Sequence, residues 1–245
     1  MPEIVDAPTT PTPEKASLLE DFIDIFTSPS QVFARRADSG FVVVTLVLTL
    51  LIGVLYFANR GPMQGIMDAE FGRAVADIQE QNPGMTAEQV EGMRGIMEMS
   101  ATFGVIVFIP IIVLALGFAT WLVTKLFGGS IAFKAGLMIA AYSYLPRVVE
   151  SVLVAVQGLV LDTSTMTGRY QLSLGVGRFM DPATTSAGLL GVVGRIDLFT
   201  IWITILIGIG ISVVAKIPRE KGMMAAAVIW VIGAVPALFQ LVTGT

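Results

Sequence analysis

Apolar residues along this chain gather into long uncharged blocks separated by short polar stretches. Phe41–Ala58 is rich in Val, Leu and Ile, Ala101–Val123 carries Pro110 inside it, and Leu198–Ala215 and Met223–Val242 complete four such blocks. A helix needs about 20 apolar residues to cross a hydrocarbon core roughly 30 Å thick, so each block reads as a transmembrane helix. A fifth apolar region, Ala135–Val160, is interrupted by Pro146 and Arg147, with Glu150 one turn later. Taken as one helix it is about 39 Å long and has to tilt or kink; taken as two pieces it is a re-entrant hairpin.

The basic residues choose between these topologies. With five spans, one side of the membrane receives Lys15, Arg35, Arg36, Lys125, Lys134, Lys216, Arg219 and Lys221, which includes every lysine in the chain. Bases in short loops near span ends favour the cytoplasm. The expected arrangement is therefore a multi-pass protein of the cell's inner (cytoplasmic) membrane, N-terminus inside and C-terminus outside. A hairpin at 135–160 would instead export Lys216, Arg219 and Lys221 from a very short loop.

Three segments outside the spans carry pattern of their own. Ser17–Thr27 sets Leu18, Leu19, Phe22, Ile23, Ile25 and Phe26 against Glu20, Asp21 and Asp24, with capping-box spacing from Ser17 to Glu20. It reads as an amphipathic helix on the cytoplasmic surface, Phe22 and Phe26 facing the membrane and the acids solvated. Ser28-Pro29-Ser30-Gln31 restarts a helix, with a second capping box. The 59–100 loop reads as an external helical hairpin: Met63, Met67, Phe71, Val75 and Ile78 form a stripe, Asn82-Pro83-Gly84 turns, and Thr86 to Gln89 caps a helix leading into the second span. In the 162–197 loop, Arg169–Gly177 alternates weakly like a strand, and Asp181-Pro182 could open a short helix.

The predicted organisation is an acidic, Pro- and Thr-rich disordered tail at 1–16, cytoplasmic amphipathic helices at 17–40 and an all-α five-span membrane domain at 41–242. Composition agrees: 54% of the 245 residues are hydrophobic and 14% charged, against about 25% charged in soluble domains. Cys and His are absent, which excludes disulfides, thiol nucleophiles and imidazole chemistry. The net charge of −4 includes no basic patch, so nucleic acid is not an expected partner. No nucleophile–base pair, phosphate loop or metal-spaced carboxylate set stands out, and no enzyme activity, cofactor or metal is expected. Methionines of the first outer loop could bind Cu(I), but they also serve as adaptable apolar surface, and nothing else in the sequence supports copper.

One constellation carries chemistry: Tyr142, Tyr144, Pro146, Arg147 and Glu150. A proline in a helix frees the carbonyl four residues back, here that of Tyr142, and Arg147 and Glu150 share a helical face. Ionisable residues within a span usually face protein or a wet cavity. The group is either a binding site beside a hinge, or an ion pair that locks a kinked helix. Asp197 caps the fourth span or reaches toward Arg147. Gly208 and Ser212, four residues apart, form a small-residue face for close helix packing.

Four stretches resemble the bacterial branch of the Yip family, the Ypt/Rab-interacting membrane proteins. They are DFIDIFTSPSQVFARR at 21–36, AYSYLP at 141–146, LDTSTMTG at 161–168 and DLFTIWITILIGIGISVVAKIPREKG at 197–222. The resemblance implies five transmembrane helices with the N-terminus inside, and through its eukaryotic members a role in trafficking and membrane shaping through Rab GTPases and through each other. Two functions follow as expectations. The first is a non-enzymatic scaffold contacting the lipid bilayer and binding protein partners or itself. The second is a small transporter or lipid-moving protein using the polar site at the kink of span three. A cavity reaching Arg147 would favour ligand handling, and a sealed ion pair would favour the scaffold.

Overall fold

The computed structural model describes residues 16–243, apart from the side chains at 101, 102 and 105. The predicted tail, Ala16 excepted, lies outside the described residues. Those residues are helical and contain no strand: α1 (Leu18–Thr27), α2 (Pro29–Arg36), α3 (Val42–Gln81), α4 (Ala87–Leu126), α5 (Phe133–Ser143), α6 (Pro146–Val160), α7 (Ala187–Val193), α8 (Leu198–Ala215) and α9 (Arg219–Thr243). Five segments are long and apolar enough to cross a membrane: α3, residues 106–126 of α4, α5 with α6, α8 and α9.

α3 and α4 each run for 40 residues, about 60 Å, so the arms of the 59–100 hairpin are continuous with spans one and two. Thr86 Oγ1 accepts the Gln89 N–H at 3.3 Å, and Gln89 Oε1 accepts the Thr86 N–H at 2.8 Å, starting α4 after the turn. Arg94 ties the arms together, pairing with Asp68 at 2.9 Å and lying 4.6 Å from the centre of the Phe71 ring.

The third span breaks where the proline falls. Pro146 has no N–H to offer, and the Tyr142 carbonyl accepts from the Leu145 N–H at 3.3 Å instead. α5 therefore ends at Ser143 and α6 restarts at Pro146. α5 is the centre of the bundle, with Met138 to Tyr142 at most 1% exposed. It crosses α4 at two glycines: a Cβ on Gly136 would lie 2.7 Å from the Gly117 carbonyl oxygen. Gly208 and Ser212 make the same kind of crossing with α9, since a Cβ on Gly222 would lie 2.5 Å from the Gly208 oxygen and 2.9 Å from the Ser212 Cβ. They serve packing within the chain.

The N-terminal helices depart most from expectation. α1 starts as predicted, Ser17 Oγ accepting the Glu20 N–H at 3.1 Å and Glu20 returning the bond at 3.3 Å. Ser28 makes no side-chain cap bond, so the second capping box does not form. α1 and α2 fold into a hairpin lodged against α5 and α8. Val32 and Phe33 are completely buried, Phe22 packs on the main core, and Phe26 meets Trp202 edge-on at 5.3 Å. Trp202 precedes the end of α8 by about 20 Å of helix, so the hairpin tip reaches deep along span four. Its polarity is inverted: Asp21 is fully buried, while Leu19 and Ile23 are 71% and 60% exposed. Charge inward and apolar side chains outward suit a helix in lipid. The expectation that Asp21 is solvated and that Phe22 and Phe26 face the membrane is corrected accordingly.

The outer loop also differs from its predicted form. Arg169–Leu172 and Val176–Phe179 are 3₁₀ turns, and one backbone bridge joins Gly175 to Asp197. Asp181-Pro182 opens no helix; α7 starts five residues later, with Ser186 as its cap, and packs along the end of α9.

Candidate functional site

Immediately beyond the break in span three, α6 carries Arg147 and Glu150 on its inner face. Arg147 Nη1 donates to Glu150 Oε2 at 2.5 Å, and Nη2 donates to Thr200 Oγ1 at 2.9 Å. The Thr200 hydroxyl donates in turn to Asp197. Asp197 also caps α8, accepting the N–H groups of Phe199 and Thr200 at 2.9 and 3.0 Å. Both of its expected roles are therefore met, since it reaches Arg147 through the shared threonine.

This relay is not sealed. Arg147 and Glu150 side chains are 27% and 23% exposed. They line a cavity of about 330 Å³ closed by Arg169, Ser173, Arg195 and Asp197. A second cavity of about 330 Å³ adjoins it at Met63, Glu150, Val154 and Arg169, and adds Tyr56, Asn59 and Arg60. Together they form a chamber between α3, α6 and the 162–197 loop, charged at Arg147, Glu150, Arg169 and Arg195 and apolar at Ile52, Met63, Ile66 and Val154. The loop is tied over it at several points. Arg169 donates through Nη2 to Glu70 Oε2 at 2.6 Å and through Nε to Oε1 at 3.0 Å. Thr163 donates to the Pro62 carbonyl at 2.7 Å, and Gln157 bridges the Leu172 carbonyl and Arg178.

Three buried polar atoms lining the chamber have no hydrogen-bond partner among the described residues: Tyr56 Oη, Ser173 Oγ and Arg195 Nε. Buried polar groups are normally paired, so such a concentration marks a place where something else can bond. Arg195 forms no ion pair among the described residues. Its Nη2 donates to the Trp230 carbonyl at 2.8 Å, and its guanidinium stands 5.4 Å from the centre of that ring. Burial and the neighbouring Arg147 push its pKa below the ordinary arginine value, with Asp197 opposing. Arg169 shifts the other way, raised by its bond to Glu70 against the effect of burial.

Of the residues singled out in the sequence, Arg147, Glu150 and Asp197 meet at the chamber, and Pro146 supplies the break that presents them. Tyr144, in the break before α6, lines a groove that also reaches Arg147. Tyr142 belongs elsewhere: its hydroxyl donates to Asp21 at 3.1 Å. Asp21 also accepts from Arg35 and Arg36, each at 2.6 Å, joining the N-terminal hairpin to the core. Sequence reading missed Arg169, Arg195, Glu70, Thr200 and Tyr56. Glu70 and Arg169 lie 99 residues apart, a pairing no local spacing reveals; Arg195, two residues before the capping Asp197, was within reach of a local reading.

Five helices long and apolar enough to span a membrane, with a cavity carrying charged side chains beside the third, define a polytopic helical membrane protein. The model of the Yip1 domain matches residues 23–239, and the chain belongs to that family. It is 24% identical over 227 residues to "Membrane protein YknW" of Bacillus subtilis (strain 168), covering 93% of this chain and 90% of the relative. No solved structure matches.

Proposed function

We propose that this Yip-family protein is a non-enzymatic membrane protein that binds a small anionic ligand at the kink of its third span, in keeping with a transport or lipid-moving role. One observation carries the reading: the cavity reaches Arg147 and also contains Arg195, whose buried Nε is unpartnered. The carboxylates nearby are already engaged, Glu150 by Arg147 and Asp197 by the start of α8. An anion entering the chamber meets a donor that is already desolvated, where a charge-assisted bond is strongest. In this reading the N-terminus is inside and the C-terminus outside, as the lysine distribution supports, and the chamber faces the outer side of an inner membrane.

Thermal unfolding of the detergent-solubilised protein with added inorganic phosphate tests this. At about 100 times its dissociation constant a ligand stabilises the native state by about 2.7 kcal/mol. Melting temperature should rise with phosphate at constant ionic strength, and Arg195→Gln should abolish the rise. No phosphate-dependent shift would overturn the reading.

A scaffold that binds partners or itself is supported by a different feature. Phe179, in the outer loop, is 88% exposed, and Ile96 on the α4 arm is 63% exposed. Each offers an apolar side chain to a partner outside the spans. If they mediate self-association, mass photometry should show a dimer that Phe179→Ser dissolves; a monomer in both cases would remove that support.

A further inference from the structure

The apolar groove beside the chamber points to the kind of anion involved. It has a volume of about 550 Å³ and runs between α4, α8 and α9, within the size range of small-molecule sites. Its walls are mostly apolar, with Leu116, Ile203, Ile207 and Ile229 along its length, and among the described residues its only charged lining residues are Arg147 and Arg195. Both arginines also line the chamber, so groove and chamber share a cationic end. Ile112 and Ile232, which line it on α4 and α9, are 38% and 47% exposed, so the groove opens sideways between those helices toward the surrounding lipid. From Thr200 at the cationic end to Ile207 it follows α8 for about 10 Å into the span.

We infer that this groove holds the acyl chain of an anionic lipid whose phosphate head sits against Arg195 and Arg147. The inference rests on the anion-binding reading above and narrows its ligand class. Charge complementarity selects the headgroup: an apolar channel ending in arginines, with no carboxylate on its own walls, matches an amphiphile that is apolar along its length and negative at one end. The depth gradient agrees, since the cationic end lies at the start of span four and the apolar part runs toward mid-bilayer. Arg195 lies over Trp230, which also lines the groove, so an indole reports on occupancy at the junction of head and chain.

The test is fluorescence quenching in vesicles. Trp121→Phe and Trp202→Phe leave Trp230 as the sole tryptophan, and the protein is placed in phosphatidylcholine vesicles containing a small fraction of lipid brominated in its chain. Brominated phosphatidylglycerol should quench Trp230 with about tenfold higher apparent affinity than brominated phosphatidylcholine, the factor expected from one charge-assisted hydrogen bond. Arg195→Gln should reduce the two lipids to equal quenching. Ala119→Phe narrows the groove without touching a charge and should weaken quenching by the anionic lipid. Equal quenching by both lipids in the chain with Arg195 intact overturns the inference, whether or not either variant folds. If phosphate still raises the melting temperature through Arg195 in that case, the chamber binds a soluble anion and only the lipid assignment falls.

Discussion

Arg147 bonds one neighbour on its own helix and one on α8, so its removal strands Glu150 and takes one of two side-chain bonds from Thr200. Breaking a buried pair by deleting one member costs about 3–5 kcal/mol, while replacing both with apolar residues is often neutral. The partial exposure of this pair places the expected cost of Arg147→Leu or Glu150→Leu toward the lower end. The double variant should recover most of the lost thermal stability in detergent, with a residual deficit from the bond that Thr200 no longer accepts, while its hydroxyl still donates to Asp197. Single variants as stable as the parent would show that the pair does not hold the break together. Asp21 is the more buried charge, and three groups donate to it. Asp21→Asn should cost about 3 kcal/mol and Tyr142→Phe about 1 kcal/mol, with the double variant less than additive because the two share a bond. Strict additivity in thermal unfolding would contradict the shared network.

Among the elements, the α1–α2 hairpin is held by shape as much as by charge. Phe33 and Ile139 fill the space above Gly210, where an added Cβ would stand 2.7 Å from Ile139 Cγ2. Gly210→Leu should therefore expel the hairpin. Hydrogen exchange should then show residues 18–36 losing protection while α5 amides stay protected; protection unchanged at 18–36 would mean the hairpin is anchored elsewhere. The spans themselves were legible because lipid imposes a length and an apolar composition that any single block either meets or fails. Caps at Ser17, Thr86 and Asp197 were legible because each is decided within four residues. The placement of α1 was not, because its side-chain pattern is amphipathic whichever face is wet: lipid and water exchange places without changing the spacing of Leu19, Phe22, Ile23 and Phe26. The strand expected at Arg169–Gly177 failed for a related reason, since alternation of apolar and polar residues there is satisfied by two short turns over the chamber. Of the candidate site, the half that lies within one turn of Pro146 could be read, and the half supplied by Glu70, Arg169 and Arg195 from other segments could not.

Taken whole, the buried carboxylates among the described residues, Asp21 and Asp197, lie at two locations, the cluster at the N-terminal hairpin and the chamber beyond the Pro146 break. In the first, three groups donate to Asp21; the second keeps polar atoms without partners among the described residues. Topology can be read with single cysteines, because the chain has none of its own. A cysteine at Ser130 should react only from the cytoplasm and one at Gln81 only from outside, and external labelling at Ser130 would overturn the five-span arrangement. The decisive measurement compares two neighbouring positions on α6, Val154 lining both parts of the chamber and Leu153 exposed outside it. With a charged, membrane-impermeant thiol reagent added from outside, Val154→Cys should label and Leu153→Cys should not, since only a wet chamber ionises a thiol and admits a charged reagent. A Val154→Cys that stays unlabelled in the membrane, yet reacts once unfolded, would mean that the chamber is sealed and that Arg147 and Glu150 form a structural pair.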